Sequence, residues 1–416
     1  MNQQEIAPLM SERRVSLIGA LLVAIGPVSM ALFTPAMPEL VAAFGTTEAA
    51  VKMTISLYFA GFALAQLVCG PLSDGFGRRP VTVAFMGIYL AASLMALFAP
   101  TIEILIAARF MQGIGAAVGV AMSRAIVRDL FTQDRSARIM NLIGMILAIG
   151  PAFAPVIGGV TMEFFGWHAV FILMVVMGVS IVLVAIFGLR ETVTRDLSRI
   201  RPRALLASYY TLFGSSYFVL CSLIIAGTTG AIYAQATILS FILIDRVGLS
   251  PTAFGASMLA QTGMFFTGSV AVRFLMPRLG AFGLVPIGLG FVAIGSVLLA
   301  TLLRLQEPSL LTVMGPVGAY AFGIAFVMPA MTTAAMAPFP KIAGAAASLT
   351  GFVQMGSGLL GGMIAAWLGD AVVAMATVIP TMGFTAVIAW FLWRRLPEPV
   401  QPVISPRERI EPPIAQ

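Results

Sequence analysis

Charged residues are scarce in this sequence, at 10% of its 416 positions. Because a soluble domain carries about 25% charged residues, this composition excludes an ordinary water-soluble protein. Histidine occurs once, as His168, and the two cysteines, Cys69 and Cys221, lie apart inside apolar stretches. Such sparse chemistry argues against a disulfide framework, a metal site or an enzyme, and we expect no cofactor.

Apolar residues take the place of charge, at 59% of the chain, with a mean hydropathy of +1.00. A membrane span needs about 20 apolar residues, and lipid offers its backbone no hydrogen bonds, so apolar windows of this length predict helices. The windows fall near 15–38, 51–72, 80–99, 103–127, 138–162, 168–189, 208–232, 252–275, 282–303, 309–333, 342–366 and 372–393. The sequence therefore predicts an all-α polytopic membrane protein of twelve spans.

The basic residues predict the orientation of these spans. With the N-terminus in the cytoplasm, cytoplasmic segments hold 20 of the 24 basic residues, all except Lys52, Arg109, Arg246 and Arg304. This bias predicts that both termini are cytoplasmic. It also explains the net charge of +7 without a nucleic-acid partner, because the charges form no basic stripe.

An internal repeat and one charged run predict the domain organisation. A shift of 203 places puts Gly77 on Gly280, Gly115 on Gly318, and the pair at 158–159 on the pair at 361–362. The run RETVTRDLSRIRPR begins at residue 190, after the sixth window, and is predicted to be the linker. The predicted segments are a cytoplasmic N-terminal tail (1–14), a six-helix bundle (15–189), a cytoplasmic linker (190–207), a second six-helix bundle (208–394) and a cytoplasmic C-terminal tail (395–416).

The motif GPLSDGFGRRP, residues 70–80, is a very short turn between the second and third windows. It closely resembles the signature of the major facilitator superfamily. The stretches TPAMPEL from Thr34, SRAIVRDLF from Ser123 and FPKIAGAAASLTG from Phe339 resemble the Bcr/CflA branch of its proton-coupled multidrug efflux transporters. The resemblance implies the major facilitator fold, in which two pseudo-symmetric six-helix bundles form twelve transmembrane helices.

The same resemblance implies a cytoplasmic latch in the turn motif. Its residues would be Asp74, Arg78, Arg79 and Asp129. A carboxylate of this latch is expected to face the positive N-terminal end of span eleven near Ala343.

Span five contains GPAFAPVIGG, which resembles a motif that marks antiporters. Prolines bend a helix and glycines allow close helix contact, so the alternative is a kinked, tightly packed helix without a role in coupling. The residues concerned are Gly150, Pro151, Pro155, Gly158 and Gly159.

Proton coupling needs a group that titrates, and relatives usually place an aspartate about four residues before the proline of the TPAMP motif. Here the positions before Pro35 contain no carboxylate, and the nearest is Glu39. Arg109 lies part-way into span four, where its side chain either snorkels outward or faces a polar cavity. Since arginine keeps its proton, we predict that Glu39 titrates and that Arg109 tunes it, if their helices bring them together.

Few polar side chains remain inside the spans to bind a substrate. The candidates are Gln112, Asn141, Gln235, Gln261 and Gln354, each of which could instead be a helix-to-helix hydrogen bond. The sequence favours an exporter of amphipathic drugs, with protons and the bilayer as further partners; the alternative is a carrier of one metabolite such as a sugar, amino acid or nucleoside. We expect a monomer in the bacterial inner membrane.

Overall fold

The structure is a computed structural model that describes residues 9–131 and 133–397; most of both predicted tails lies outside this part. Its helices, in chain order, are α1 (Glu12–Phe33), α2 (Met37–Ala43), α3 (Glu48–Phe76), α4 (Arg78–Leu97), α5 (Ile102–Leu130), α6 (Gln133–Phe165), α7 (Trp167–Leu183), α8 (Pro202–Phe213), α9 (Ser216–Ala236), α10 (Pro251–Leu305), α11 (Leu310–Met336), α12 (Ala343–Leu368) and α13 (Ala371–Trp393).

The helices account for the twelve predicted spans. Within the described part of the chain, ten candidate spans are long and apolar enough to cross a membrane, one of them combining α1 and α2. Another is α10, whose 55 residues are divided by Gly280, which has a non-helical φ of 67°. Its two limbs count as two spans, and α6, with 33 residues, supplies the remaining one. The prediction of an all-α, twelve-span fold is confirmed.

The predicted start of the seventh span differs from the observed one. The window near 208–232 merges two helices, because α8 ends at Phe213 and α9 begins at Ser216. Ser215 caps α9 by accepting a hydrogen bond from the backbone N–H of Phe218. The helix α8 thus occupies the end of the predicted linker and the start of the predicted second bundle.

Glycines with positive φ form the tight turns and display the internal repeat. Among the described residues they form three pairs, each separated by 203 positions: Gly45 with Gly248, Gly77 with Gly280, and Gly166 with Gly369. A positive φ suits glycine because other residues clash there. Two chain halves with the same turns at the same spacing therefore fold in the same way.

Each half forms a bundle, and two helix pairs join the bundles. In the first half α1 and α4 pack on α5, and in the second half α11, α12 and α13 pack on α9. Across the boundary between the halves, α3 packs on α12 and α6 packs on α10. The internal repeat relates these two contacts to each other, since α10 corresponds to α3 and α12 corresponds to α6.

The two ends of the molecule are named here by one residue each. The Asp74 end carries the turn at Gly77, the linker and the beginning of α12; the Lys52 end carries the turns at Gly45, Gly166 and Gly369. Glu12 and Trp393, which begin the first and end the last helix of the described residues, both lie at the Asp74 end.

Candidate functional site

Three of the four predicted latch residues contact one another at the Asp74 end. The Arg78 guanidinium contacts Asp74 at 2.6 Å and Asp129 at 3.0 Å, and it donates to Ser73 Oγ at 2.6 Å. Its side chain is 4% exposed, against 15% for Asp129 and 43% for Asp74. Arg78 therefore ties the end of α3 to the end of α5, and Asp129 is its more buried partner.

The fourth predicted residue, Arg79, does not contact these carboxylates. Its guanidinium donates to the backbone oxygen of Ile186 at 2.8 Å and lies at the exposed surface. The two arginines of the motif therefore have different partners, Arg78 within the latch and Arg79 on the segment that follows α7.

Glu191 is a member of this network that the sequence reasoning missed. Its carboxylate accepts hydrogen bonds from the backbone N–H groups of Arg78 at 2.8 Å and Arg79 at 3.2 Å. A carboxylate at a helix N-terminus pairs with unsatisfied N–H groups and the positive end of the helix dipole. Glu191 thus caps α4 from the linker. The linker pattern showed its charge but not this contact.

The predicted approach of Asp74 to the beginning of α12 stays a prediction. The Asp74 carboxylate has Arg78 as its ion-pair partner. A Cβ added to Gly70 on α3 or to Gly344 on α12 would meet nothing within 4 Å. Near the Asp74 end, these two positions do not pack on the opposite helix.

Closer to the middle, α3 and α12 do touch. The Gln66 amide lies against Gly351, and Phe59 lies against Gly358. The Tyr209 hydroxyl of α8 also donates to the backbone oxygen of Leu67 at 2.8 Å.

Arg109 is fully buried inside the first bundle, so its side chain does not snorkel outward. The guanidinium carbon lies 4.3 Å from the ring centroid of Phe33 and 4.5 Å from that of Tyr58. Nη1 donates to Gln112, while Nε and Nη2 have no hydrogen-bond partner. Aromatic faces attract a cation, and they take the place that a carboxylate would fill.

Glu39 lies in the first turn of α2 and is exposed. The contacts of Arg109 are with Phe33, Tyr58, Gln112 and Met174. The structure therefore does not bring Glu39 and Arg109 together, and the condition set for Arg109 to tune Glu39 is not met in this conformation.

The glycines of the span-five motif lie at helix contacts. A Cβ on Gly158 would overlap the backbone oxygen of Leu32 in α1, and a Cβ on Gly159 would overlap that of Pro251 in α10. A Cβ on Gly150 would lie 3.0 Å from Val28. Pro155 is buried against Gly255 of α10, whereas the side chain of Pro151 lies outside the described residues.

The predicted cavity residues lie on five different helices. Gln112 is fully buried within the first bundle, where Nε2 donates to Ser93 Oγ at 2.8 Å. Gln235 is buried in α9, and Gln261 and Gln354 are partly exposed on α10 and α12. The side chain of Asn141 lies outside the described residues. Their role in binding a substrate stays a prediction.

Polar contacts join the halves at the Lys52 end. The Glu163 carboxylate accepts the backbone N–H of Thr252 at 3.0 Å, which connects α6 to the start of α10. The Lys52 ammonium donates to the backbone oxygen of Gly369 at 3.1 Å, which connects α3 to the end of α12. Nearby, burial and the charge of Glu48 raise the pKa of Asp245 above its usual value.

Sequence comparison identifies the family. The sequence profile of the Major Facilitator Superfamily matches residues 19–366. Multidrug resistance protein D of Escherichia coli (strain K12) is 30% identical over 395 residues, which cover 92% of this chain and 96% of that protein. Multidrug resistance protein MdtL of Salmonella typhimurium is 30% identical over 373 residues, which cover 87% of this chain and 90% of that protein.

Solved structures show the same fold. A D-xylose-proton symporter superposes with a TM-score of 0.73 at 15% identity, covering 94% of this chain and 99% of that one. A bacterial homologue of the human lysosomal transporter Spinster, inward-facing and unoccupied, superposes with a TM-score of 0.70 at 15% identity, covering 92% and 96%. At this identity the likeness concerns the fold alone.

Proposed function

The chain belongs to the Major Facilitator Superfamily, a family of transporters, and we propose that it exports small amphipathic molecules, drugs among them, in exchange for protons. The observation that carries the proposal is the near full-length similarity to two proteins named for multidrug resistance. The motifs quoted above support assignment to the Bcr/CflA branch, an inner-membrane location and cytoplasmic termini.

Alternating access is the transport mode that we propose. At the Lys52 end the backbones of α6 and α10 are in contact, with no room for a Cβ on Gly159 or Gly255. At the Asp74 end, Gly70 and Gly344 have no neighbour that a Cβ would meet. This difference supports a state that is closed at the Lys52 end and open at the Asp74 end.

The composition of the interior supports an amphipathic substrate. The predicted polar candidates are spread over several helices, and Gln112 is engaged in hydrogen bonds within its own bundle. A carrier of one sugar or amino acid needs polar groups that converge on its substrate. Because Gln112 is engaged within its own bundle, fewer polar groups remain for such a substrate, and a largely apolar site accepts many shapes.

Drug susceptibility in an efflux-deficient bacterial host tests the substrate class. Expression of the chain should raise the inhibitory concentration of several cationic or neutral amphipathic drugs, and an Asp74→Asn variant expressed at the same level should raise it less. No change for any drug, while a labelled sugar or amino acid accumulates or is released, would replace this proposal with the single-metabolite carrier.

Proton exchange is tested separately in liposomes. Addition of a transported drug to reconstituted protein should move protons in the opposite direction, which a pH-sensitive dye reports. We propose Glu39 as the titrating group because it is an exposed carboxylate in the first turn of α2. Drug transport without proton movement would remove the antiporter assignment while leaving the exporter.

A further inference from the structure

The sequence contains only two lysines, and the structure places them in opposite environments. Lys341 is exposed just before α12, whereas Lys52 in α3 has an exposed fraction of 0%. The Lys52 Nζ lies 3.0 Å from Glu48 Oε2, 3.1 Å from the backbone oxygen of Gly369 and 5.0 Å from the ring centroid of Phe241. Since Gly369 and Phe241 belong to the second half, this ammonium is buried across the boundary between the halves.

The carbonyl that receives Lys52 is fixed in position by its neighbour. Asp370 caps α13 through the backbone N–H of Val373 at 2.9 Å, and its other oxygen accepts a hydrogen bond from Arg246 at 2.9 Å. The turn at Gly369 is therefore held from both sides. Lys52 meets a preformed acceptor.

The internal repeat identifies the position in the second half that is equivalent to Lys52. Residue 255 corresponds to residue 52, and it is a glycine. A Cβ on Gly255 would overlap the backbone oxygen of Pro155, so α10 and α6 touch through their backbones. At this position the contact between α6 and α10 is thus made by backbones, whereas the equivalent position in the contact between α3 and α12 holds a charged side chain.

The free-energy cost of burying an ammonium determines how Lys52 affects closure of this end. The desolvation cost of a buried ion pair often exceeds the attraction between its members, and removing one member is costly only when the charge left behind is buried. Glu48 is 37% exposed and keeps contact with water when the end is closed. If this end opens, Lys52 regains its own hydration. Compared with an apolar residue, lysine therefore favours the open arrangement.

We propose that Lys52 is a positioning residue for alternating access, and that its buried ammonium keeps closure of the Lys52 end reversible. The inference rests on the alternating-access mode proposed above, but not on the substrate or on protons. Its role is to limit the stability of the closed arrangement, so that the halves separate again at this end during each cycle.

The native lysines provide a direct probe of the opening. In full-length protein with Lys341→Arg, Lys52 is the only lysine, and a water-soluble amine-acetylating reagent followed by peptide mass spectrometry measures its exposure. Lys52 should be modified at least tenfold more slowly than Lys341 in the wild type, and only through opening. Modification of both lysines at the same rate would contradict burial at the boundary and overturn the proposal.

A thiol reporter tests the sign of the effect. Ser56 is fully buried next to Gly362 of the other half, so Ser56→Cys, in a background lacking Cys69 and Cys221, reports opening by its rate of reaction with a maleimide. Lys52→Met should lower this rate at least threefold and lower the maximal transport rate, with less effect on KM. In Lys52→Arg, which keeps the positive charge, the maleimide reaction rate and the maximal transport rate should lie closer to the wild-type values. Lys341→Met should change neither rate.

A second variant changes the rate in the opposite direction. Glu48→Gln leaves the ammonium buried without its carboxylate, so the closed arrangement loses stability and the reporter should react faster. If Lys52→Met inserts poorly, Lys52→Leu takes its place in the same assay. An increased or unchanged rate in the apolar variant would overturn the proposal, because an increase means that the ammonium holds the end closed. The maleimide assay needs neither drug nor proton gradient, so its result can be interpreted even if the export proposal is wrong.

Discussion

At the scale of single residues, the two carboxylates on Arg78 differ in burial and should differ in effect. Removing a partner from a partly buried ion pair costs more than removing one from an exposed pair, which contributes under ~1 kcal/mol. Asp129→Asn should therefore lower the unfolding temperature in detergent, while Asp74→Asn, at a residue that is 43% exposed, should change it little. Glu12→Gln, which removes an exposed contact with Arg135 at 3.6 Å, is the matched control.

Asp74→Asn is then informative for transport. Since its folding should be near normal, a large loss of drug export would come from the latch rather than from unfolding. Export at the wild-type rate by a well-inserted Asp74→Asn variant would show that the family role of this aspartate does not apply to this chain.

The coupling residue is also a question at this scale. Glu39→Gln removes the proposed titrating carboxylate, so drug-induced proton movement in liposomes should be lost while drug binding persists. Arg109→Lys serves as a comparison, because Arg109 is held between Phe33 and Tyr58 and does not contact Glu39. An unchanged proton signal from Glu39→Gln excludes this residue.

The basic residues show what sequence reasoning found and missed. The bias in their distribution predicted the side of each turn, and it left four exceptions without explanation. Two of the exceptions, Lys52 and Arg109, are fully buried. Hydropathy marks a charge as unusual, and each of these two residues has one partner on its own helix, Glu48 for Lys52 and Gln112 for Arg109. The other partners come from other helices, Gly369 for Lys52 and Tyr58 for Arg109. Distances between helices are not readable from one sequence.

At the scale of helices, the contact between α6 and α10 should tolerate no added side chain. Gly159→Ala and Gly255→Ala each introduce a Cβ onto a backbone oxygen of the opposite helix, which must move the helices apart. Both variants should reduce export and increase maleimide reaction at Ser56→Cys. Gly263→Ala in α10 is the control, since its Cβ would meet nothing within 4 Å.

A wild-type export rate in Gly159→Ala and Gly255→Ala would mean that this contact is looser than the structure shows. Loss of export in Gly263→Ala as well would instead point to a general intolerance of α10 to substitution.

Helix boundaries followed the sequence where capping and turn residues are strong. The turn between α3 and α4 was predicted from the motif at residues 70–80. Gly77 in this motif has a φ of 103°, whereas Gly75 lies inside α3. The helix α8 was missed because its twelve residues continue into the apolar run of α9. A sliding apolar window does not detect a break as short as Gly214 and Ser215.

At the scale of the whole molecule, the topology has a direct test. Arg195 precedes α8 at the Asp74 end, and Glu307 lies between α10 and α11 at the Lys52 end. Single cysteines at these positions should react with an impermeant reagent from opposite sides of the membrane, with residue 195 protected in intact cells. Reaction of both positions from the same side would contradict the twelve-span arrangement.

The three pairs of turn glycines, separated by 203 residues each, have a consequence for how the protein can be made. Each half carries its own turns and caps, and the linker up to Ile200 lies against the first half, where Asp196 donates its N–H to Gly75 at 3.0 Å. A chain divided between Ile200 and Arg201 should therefore complement itself: residues 1–200 and 201–416, encoded as two genes, should assemble in the membrane and restore drug resistance. Co-purification of the untagged fragment with a tagged one measures this assembly, and fragments that accumulate without associating would show that covalent continuity is required for the halves to pair.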